Sequence, residues 1–90
     1  MSVVLRLPSI LSSAVGTDRV EVEGTTVGAA LDAACAALPN LRRHILKDDG
    51  GLRDHVLCLV NGEALPRREL RDHPLAGGDE IRIHQAISGG

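Results

Sequence analysis

Ninety residues with a formal net charge of −2 and 24% charged residues allow one ordinary domain built round one modest core. The chain has no Phe, Tyr or Trp, so its core must be Val, Leu, Ile and Ala, and stacking on bases is excluded as a route to single-stranded nucleic acid. The near-neutral charge leaves no electrostatic footprint for nucleic acid, no apolar run approaches membrane-spanning length, and the first residues lack a signal-peptide pattern, so the expected setting is cytoplasmic.

Val3 to Leu7 reads as a strand, with Val3, Leu5 and Leu7 on one face, Val4 and Arg6 on the other, and Pro8 ending it. Ser9 to Asp18 reads as a loop. Arg19 to Glu23 alternates as a second strand, Val20 and Val22 inward and Glu21 and Glu23 outward, and the pair predicts an antiparallel hairpin. Thr26 is the expected N-cap of a helix, because its hydroxyl can satisfy an orphan N–H of the first turn. Val27, Ala30, Leu31, Ala34, Cys35 and Leu38 then form one apolar stripe whose alanines permit a close approach to a sheet, and Pro39 stops the helix. Leu41 to Lys47 suggests a further turn of helix, and residues 47–51 a loop.

His55 to Asn61 carries the strongest strand signal: Val56, Cys58 and Val60 share one face, Leu57 and Leu59 the other. Asn61-Gly62 marks a turn, Glu63 to Leu65 a short strand, and Arg67 to Asp79 an irregular stretch anchored by Leu70 and Leu75. Gly77-Gly78-Asp79 turns the chain into a last strand from Glu80 to Ile87, with Ile81 and Ile83 inward and Arg82 and His84 outward. This order predicts an α+β domain with one main helix across one face of a mixed four- to five-stranded sheet, leaving the other face to water or a partner.

Several residues that could carry chemistry read more simply as structure. Cys35 and Cys58 lack C-x-x-C spacing and sit in apolar segments, where a thiol behaves as a small hydrophobe. His44, His55, His73 and His84 show no metal-ligand spacing. Glu21 and Glu23 lie on a solvated strand face rather than in an acid–base pair. Arg42-Arg43 and Arg67-Arg68 are short basic pairs of the kind a solvated surface carries. Gly77-Gly78 precedes a strand, not a helix, and so is no phosphate loop.

The ending Ser88-Gly89-Gly90 is different. A glycine pair has no Cβ, so its backbone can enter a narrow channel and approach another molecule closely. The domain is expected to span residues 1–86, with 87–90 a flexible tail.

Leu59-Val60-Asn61-Gly62-Glu63, Pro74-Leu75-Ala76-Gly77-Gly78-Asp79-Glu80-Ile81 and Gly89-Gly90, in this order and spacing, resemble the MoaD/ThiS sulfur-carrier family, which has the ubiquitin-like β-grasp fold. The opening Leu7-Pro8-Ser9-Ile10-Leu11 is similar to the longer actinobacterial branch that includes CysO. One departure stands out: many members approach the tail through Pro-Pro-hydrophobic, where this chain has His84-Gln85-Ala86-Ile87.

The resemblance implies a protein co-substrate rather than an enzyme. The Gly90 carboxylate would be adenylated and converted to a thiocarboxylate, with Gly89 giving access. No cofactor would be bound; ATP and Mg would be used by a MoeB/ThiF-like activating enzyme, and a synthase would accept the sulfur. In the family's sheet the first and last strands are central neighbours with the third beside the last. Arg6, Leu57, Leu59, Arg82 and His84 would then form a docking face, with Ile87 and Ser88 also against the partner. The free protein is expected to be a monomer, with no nucleic-acid or membrane partner. Two alternatives stay open: a modifier whose activated tail forms isopeptides with lysines, and a passive β-grasp binding domain.

Overall fold

The computed structural model describes residues 2–85. Strand β1 (Ser2–Arg6) pairs antiparallel with β2 (Arg19–Glu23) in the expected hairpin, Val3 opposite Val22 and Leu5 opposite Val20. Helix α2 (Val27–Ala37) follows, then the short helix α3 (Arg42–Ile45), strand β3 (Val56–Val60) and the two-residue strand β4 (Glu63–Ala64). The last strand, β5 (Glu80–Gln85), enters the middle of the sheet, parallel to β1 and antiparallel to β3, giving the order β2-β1-β5-β3-β4. This is the mixed five-stranded α+β sheet that the alternation and the resemblance predict.

The core lies on one face of that sheet. Val3, Leu5, Val56, Cys58, Ile81 and Ile83 point inward against the α2 stripe of Val27, Ala30, Leu31, Ala34 and Cys35, all buried. Leu38 is partly buried at the helix end. Thr26 caps α2 as predicted, its Oγ1 accepting from the Ala29 N–H at 3.2 Å. Gly24 lets β2 turn directly into α2, since a Cβ there would come within 2.7 Å of the Ala30 backbone nitrogen.

Two stretches expected to be irregular are helical. Residues 9–15 form helix α1 (Ser9–Val15), closed by Gly16 in the left-handed conformation at φ 90°, its N–H donating to the Ser12 carbonyl. Residues 67–70 form helix α4 (Arg67–Leu70). Neither has a side-chain cap, and a helix this short does not stand on propensity alone. Each is fixed by one buried leucine, Leu11 at 1% exposure and Leu70 at 2%. Arg67 adds a clamp: its guanidinium donates to the carbonyls of Leu52, Arg53, Asp54 and Val56, tying α4 to the loop before β3.

The two turn motifs hold one another. The Asn61 side chain donates to Asp79 Oδ1 at 3.1 Å and accepts from the Glu80 N–H at 3.0 Å, while its own N–H donates to the Glu80 carbonyl at 2.8 Å. Asp79 Oδ2 accepts from the Ala76 N–H at 2.8 Å. That backbone donor, and then the Asn61 amide, hold the Asp79 carboxyl below its ordinary range. Val-Asn-Gly and Gly-Gly-Asp are thus one staple that seats the start of β5.

Candidate functional site: the uncovered sheet face

The face of the sheet opposite α2 carries the polar members of the same alternating strands. Leu57 stands opposite His84, Leu59 opposite Arg82, and Arg82 also opposite Arg6 across the parallel pair. The structure therefore brings together all five residues expected on the outer face within the described part of the chain. Leu57 is 48% exposed and Leu59 is half-buried beside it.

Residues 67–74 do not cover these leucines. Leu70 belongs to the core, the Arg71 carbonyl accepts from the Gly28 N–H at 2.9 Å, and the Arg71 guanidinium donates to Asp32 at 2.9 Å. Thr26 and Pro74 form a backbone bridge. Residues 67–74 thus close the N-terminal end of α2, on the opposite side of the sheet.

Glu80 organises the charges of the outer face. Its Oε2 accepts from Arg6 Nε at 2.8 Å and its Oε1 from Arg82 Nη2 at 3.3 Å. The Arg6 hydrogen bond, and secondly Arg82, hold the Glu80 carboxyl below its ordinary value. One carboxylate shared by two guanidinium groups leaves one positive charge in excess, and the exposed His84 lies beside it. A shallow cleft of about 260 Å³ opens there, lined by Arg6, Leu7, Pro8, Asp18, Arg82, Ile83 and His84. Sequence reasoning did not assign Glu80 to the site; its place at the start of an alternating strand, two residues before Arg82, was the available signal. Reading residues 9–18 as a loop also left Ile10 without a place. It is 67% exposed on α1, the helix that directly follows β1.

Each internal candidate falls to structure. Both thiols are buried, and burial raises the pKa of Cys35 and pushes that of Cys58 up to about 12, so neither is a ready nucleophile. Among the described residues no group of three His, Cys, Asp or Glu side chains could hold a metal. Glu21 is exposed and pairs with Arg19 at 3.4 Å. The non-proline approach to the tail has a visible effect: with a backbone N–H at each position, β5 continues to Gln85, which still pairs with Val56. Ile87, Ser88, Gly89 and Gly90 lie outside the described residues.

A sheet with adjacent parallel first and last strands, gripped on one face by a single main helix, defines a ubiquitin-like β-grasp protein. The ThiS family profile matches residues 5–90, and the chain belongs to this ThiS/MoaD sulfur-carrier family. Small archaeal modifier protein 1 of Haloferax volcanii is 45% identical over 75 residues, 82% of each chain. A crystal structure of that modifier superposes at a TM-score of 0.86, with 38% identity over all of both chains. The Amycolatopsis orientalis BexX/CysO complex gives 0.81 at 26% identity, covering 98% of this chain and 99% of that one. Mycobacterium tuberculosis CysO gives 0.82 at 25% identity, covering 94% and 99%. Among the described residues no helix is long and apolar enough to cross a membrane.

Proposed function

We propose that this protein is a cytoplasmic sulfur carrier whose reactive group is the Gly90 α-carboxylate. The observation that carries the reading is the placement of β5. The strand that leads to Gly89-Gly90 is also the strand that puts Arg82 and His84 at the centre of an uncovered, partly apolar face. A partner that docks on this face is positioned to receive the tail. An apolar centre of Leu57 and Leu59 with a polar rim of Arg6, Arg82 and His84 suits a transient interface. Ile87 and Ser88 extend that contact toward the reacting end.

The chemistry begins with a carboxylate, a poor electrophile at neutral pH. A MoeB/ThiF-like activating enzyme, using ATP and Mg, would join one carboxylate oxygen to the α-phosphorus and release pyrophosphate. A sulfur donor then attacks the carbonyl carbon of the acyl-adenylate; a C–S bond forms, the C–O bond to phosphate breaks, and AMP leaves. The resulting thiocarboxylate ionises well below a free cysteine thiol near 8.5, because the carbonyl delocalises its charge. A synthase takes the sulfur for cysteine, molybdopterin, thiamin or a secondary metabolite, and the carrier returns as the carboxylate. The chain itself binds no cofactor and is consumed and regenerated.

Intact mass of the protein from its native cells tests this reading. Replacement of one oxygen by sulfur, with alkylation mapped to Gly90 rather than the buried Cys35 or Cys58, is the expected result. An unmodified mass that persists after incubation with ATP, sulfide and the host's activating enzyme would sink it. Gly90→Val should keep the fold and lose adenylation.

The similarity to a protein named as a modifier favours a second use of the same acyl-adenylate, isopeptide formation with a lysine. Conjugates of higher mass that survive reductant would support it. A passive binding domain would keep its function when Gly89 and Gly90 are deleted.

A further inference from the structure

The chain carries ten basic side chains and a net charge of −2, yet those side chains are not spread evenly. Lys47, Arg67, Arg68 and Arg71 converge on one hollow of about 260 Å³, between the loop that precedes β3 and helix α4. A neighbouring hollow shares Lys47 and adds Arg42, Arg43 and Arg53. Seven of the ten basic residues therefore stand on this one flank, and a concave surface lined mostly by one sign of charge focuses the field on its interior.

Local pairing does not cancel that charge. The Arg67 guanidinium donates to the carbonyls of Leu52, Arg53, Asp54 and Val56 at 2.6–3.5 Å. A carbonyl is neutral, so these bonds hold Arg67 in place and leave its positive charge uncompensated. Arg71 is fixed in part the same way, by the Gly50 carbonyl at 2.8 Å, and in part by Asp32 at 2.9 Å. Lys47 pairs with Asp54 at 3.1 Å, but the Asp54 side chain is 94% exposed and such a pair is weak. Arg68 is exposed and makes no ion pair or side-chain hydrogen bond among the described residues. Four cations thus line the hollow against one carboxylate, Asp54, and counting Asp32 as well still leaves an excess of two positive charges.

We propose that this hollow is a binding site for the dianion of a phosphate group, either free or carried by a small molecule. Its size suits a phosphate group or a small molecule that carries one, and its charge excess matches a dianion. Arg68, the cation without a partner, supplies a planar fork of N–H donors that fits two phosphate oxygens. Arg67 and Arg71 are already ordered by the chain's own acceptors, so they contribute their charge with little further loss of freedom. Lys47, at the rim, exchanges the weak Asp54 contact for the ligand. Because the hollow is walled by the loop before β3 on one side and by α4 on the other, an occupant ties those two segments together. Helix α4 packs Leu70 into the core on the α2 side of the sheet, so the site is separate from the outer face. It belongs to the folded domain and stands whether or not Gly90 is activated.

The test is an NMR titration of the isotope-labelled full chain at neutral pH and fixed ionic strength. The probes are sodium phosphate, sodium pyrophosphate and AMP, with sodium chloride as the reference. Saturable amide shifts confined to residues 47–54 and 67–71, with a Kd in the millimolar range or below, are the expected result, together with a rise in the unfolding temperature at saturation. Arg68→Ala, which breaks no contact of the fold, should weaken binding at least about ten-fold. Arg19→Ala removes the same charge from the far edge of the sheet and should weaken it less than about two-fold. Asp54→Asn should tighten it about two- to five-fold. Preference for phosphate itself would identify the free ion as ligand, and tighter binding of pyrophosphate or AMP a small molecule that carries the group. Shifts that do not saturate, shifts that chloride reproduces, or equal losses from Arg68→Ala and Arg19→Ala would mean diffuse surface charge and overturn the proposal. Those outcomes leave the carrier reading untouched, just as an absent thiocarboxylate in the native protein would leave this site untouched.

Discussion

The same three central strands present two unlike faces. Inward, Leu5, Cys58, Ile81 and Ile83 are buried under α2, while Arg6, Leu57, Arg82 and His84 lie on the outer face, where Arg6 and Arg82 share one carboxylate, Glu80. Ile83 and His84 are consecutive residues, as are Leu57 and Cys58, yet within each pair one member is sealed and the other exposed. Strand alternation divides the strands residue by residue: the inner set builds the core, and the outer set stays accessible.

That division can be broken by mutation. Ile83→Ala, which empties a fully buried site in the central strand, should cost about 2–5 kcal/mol in denaturant unfolding. Its counterpart Leu57→Ala should move stability by less than about 0.5 kcal/mol while weakening capture by an activating enzyme. Comparable losses of stability from both would mean that the outer face is packed in solution and the division is false.

A smaller effect is expected at the edge where the two faces meet. Asn61→Ala removes the side-chain bonds to Asp79 and the Glu80 N–H from a residue held at φ 50°, and should cost about 1–3 kcal/mol. Asn61→Gly, which tolerates that backbone but cannot make the bonds, separates the two causes in the same unfolding assay.

The smallest effect lies wholly on the outer face. The Glu80 pKa is lowered from 4.5 in the folded protein, so its contribution is fully present above that value and is lost as pH falls through the lower folded one. A carboxyl titration followed by NMR should therefore show a Glu80 midpoint below 4.5. The midpoint should rise more in Arg6→Ala than in Arg82→Ala, since Arg6 makes the shorter contact, 2.8 Å against 3.3 Å.

Much of this architecture was legible in the sequence because it rests on period. Alternation within 3–7, 19–23, 55–61 and 80–87 assigned inward and outward faces, and the stripe from Val27 to Leu38 with Thr26 before it marked the helix. The two missed helices are four and seven residues long. Their helicity comes from the burial of Leu11 and Leu70 and from Arg67's grip on four carbonyls, contacts that a local pattern cannot contain. The site was legible in part. Alternation placed Arg6, Leu57, Leu59, Arg82 and His84 outward, but only the strand order inferred from the family resemblance made them neighbours. Its place two residues before Arg82 signals that Glu80 points outward, but its role between two arginines needs β1 and β5 at once.

Placing the last strand at the centre of the sheet also sets the order of assembly. Without residues 80–85 the sheet separates into two hairpins, β1 with β2 and β3 with β4, and an isolated two-stranded hairpin is marginal in water. The nascent chain must therefore wait for β5 before its core can close. Because β5 is the last strand in chain order yet central in the sheet, synthesis must pass residue 85 before the two hairpins can be joined into one core.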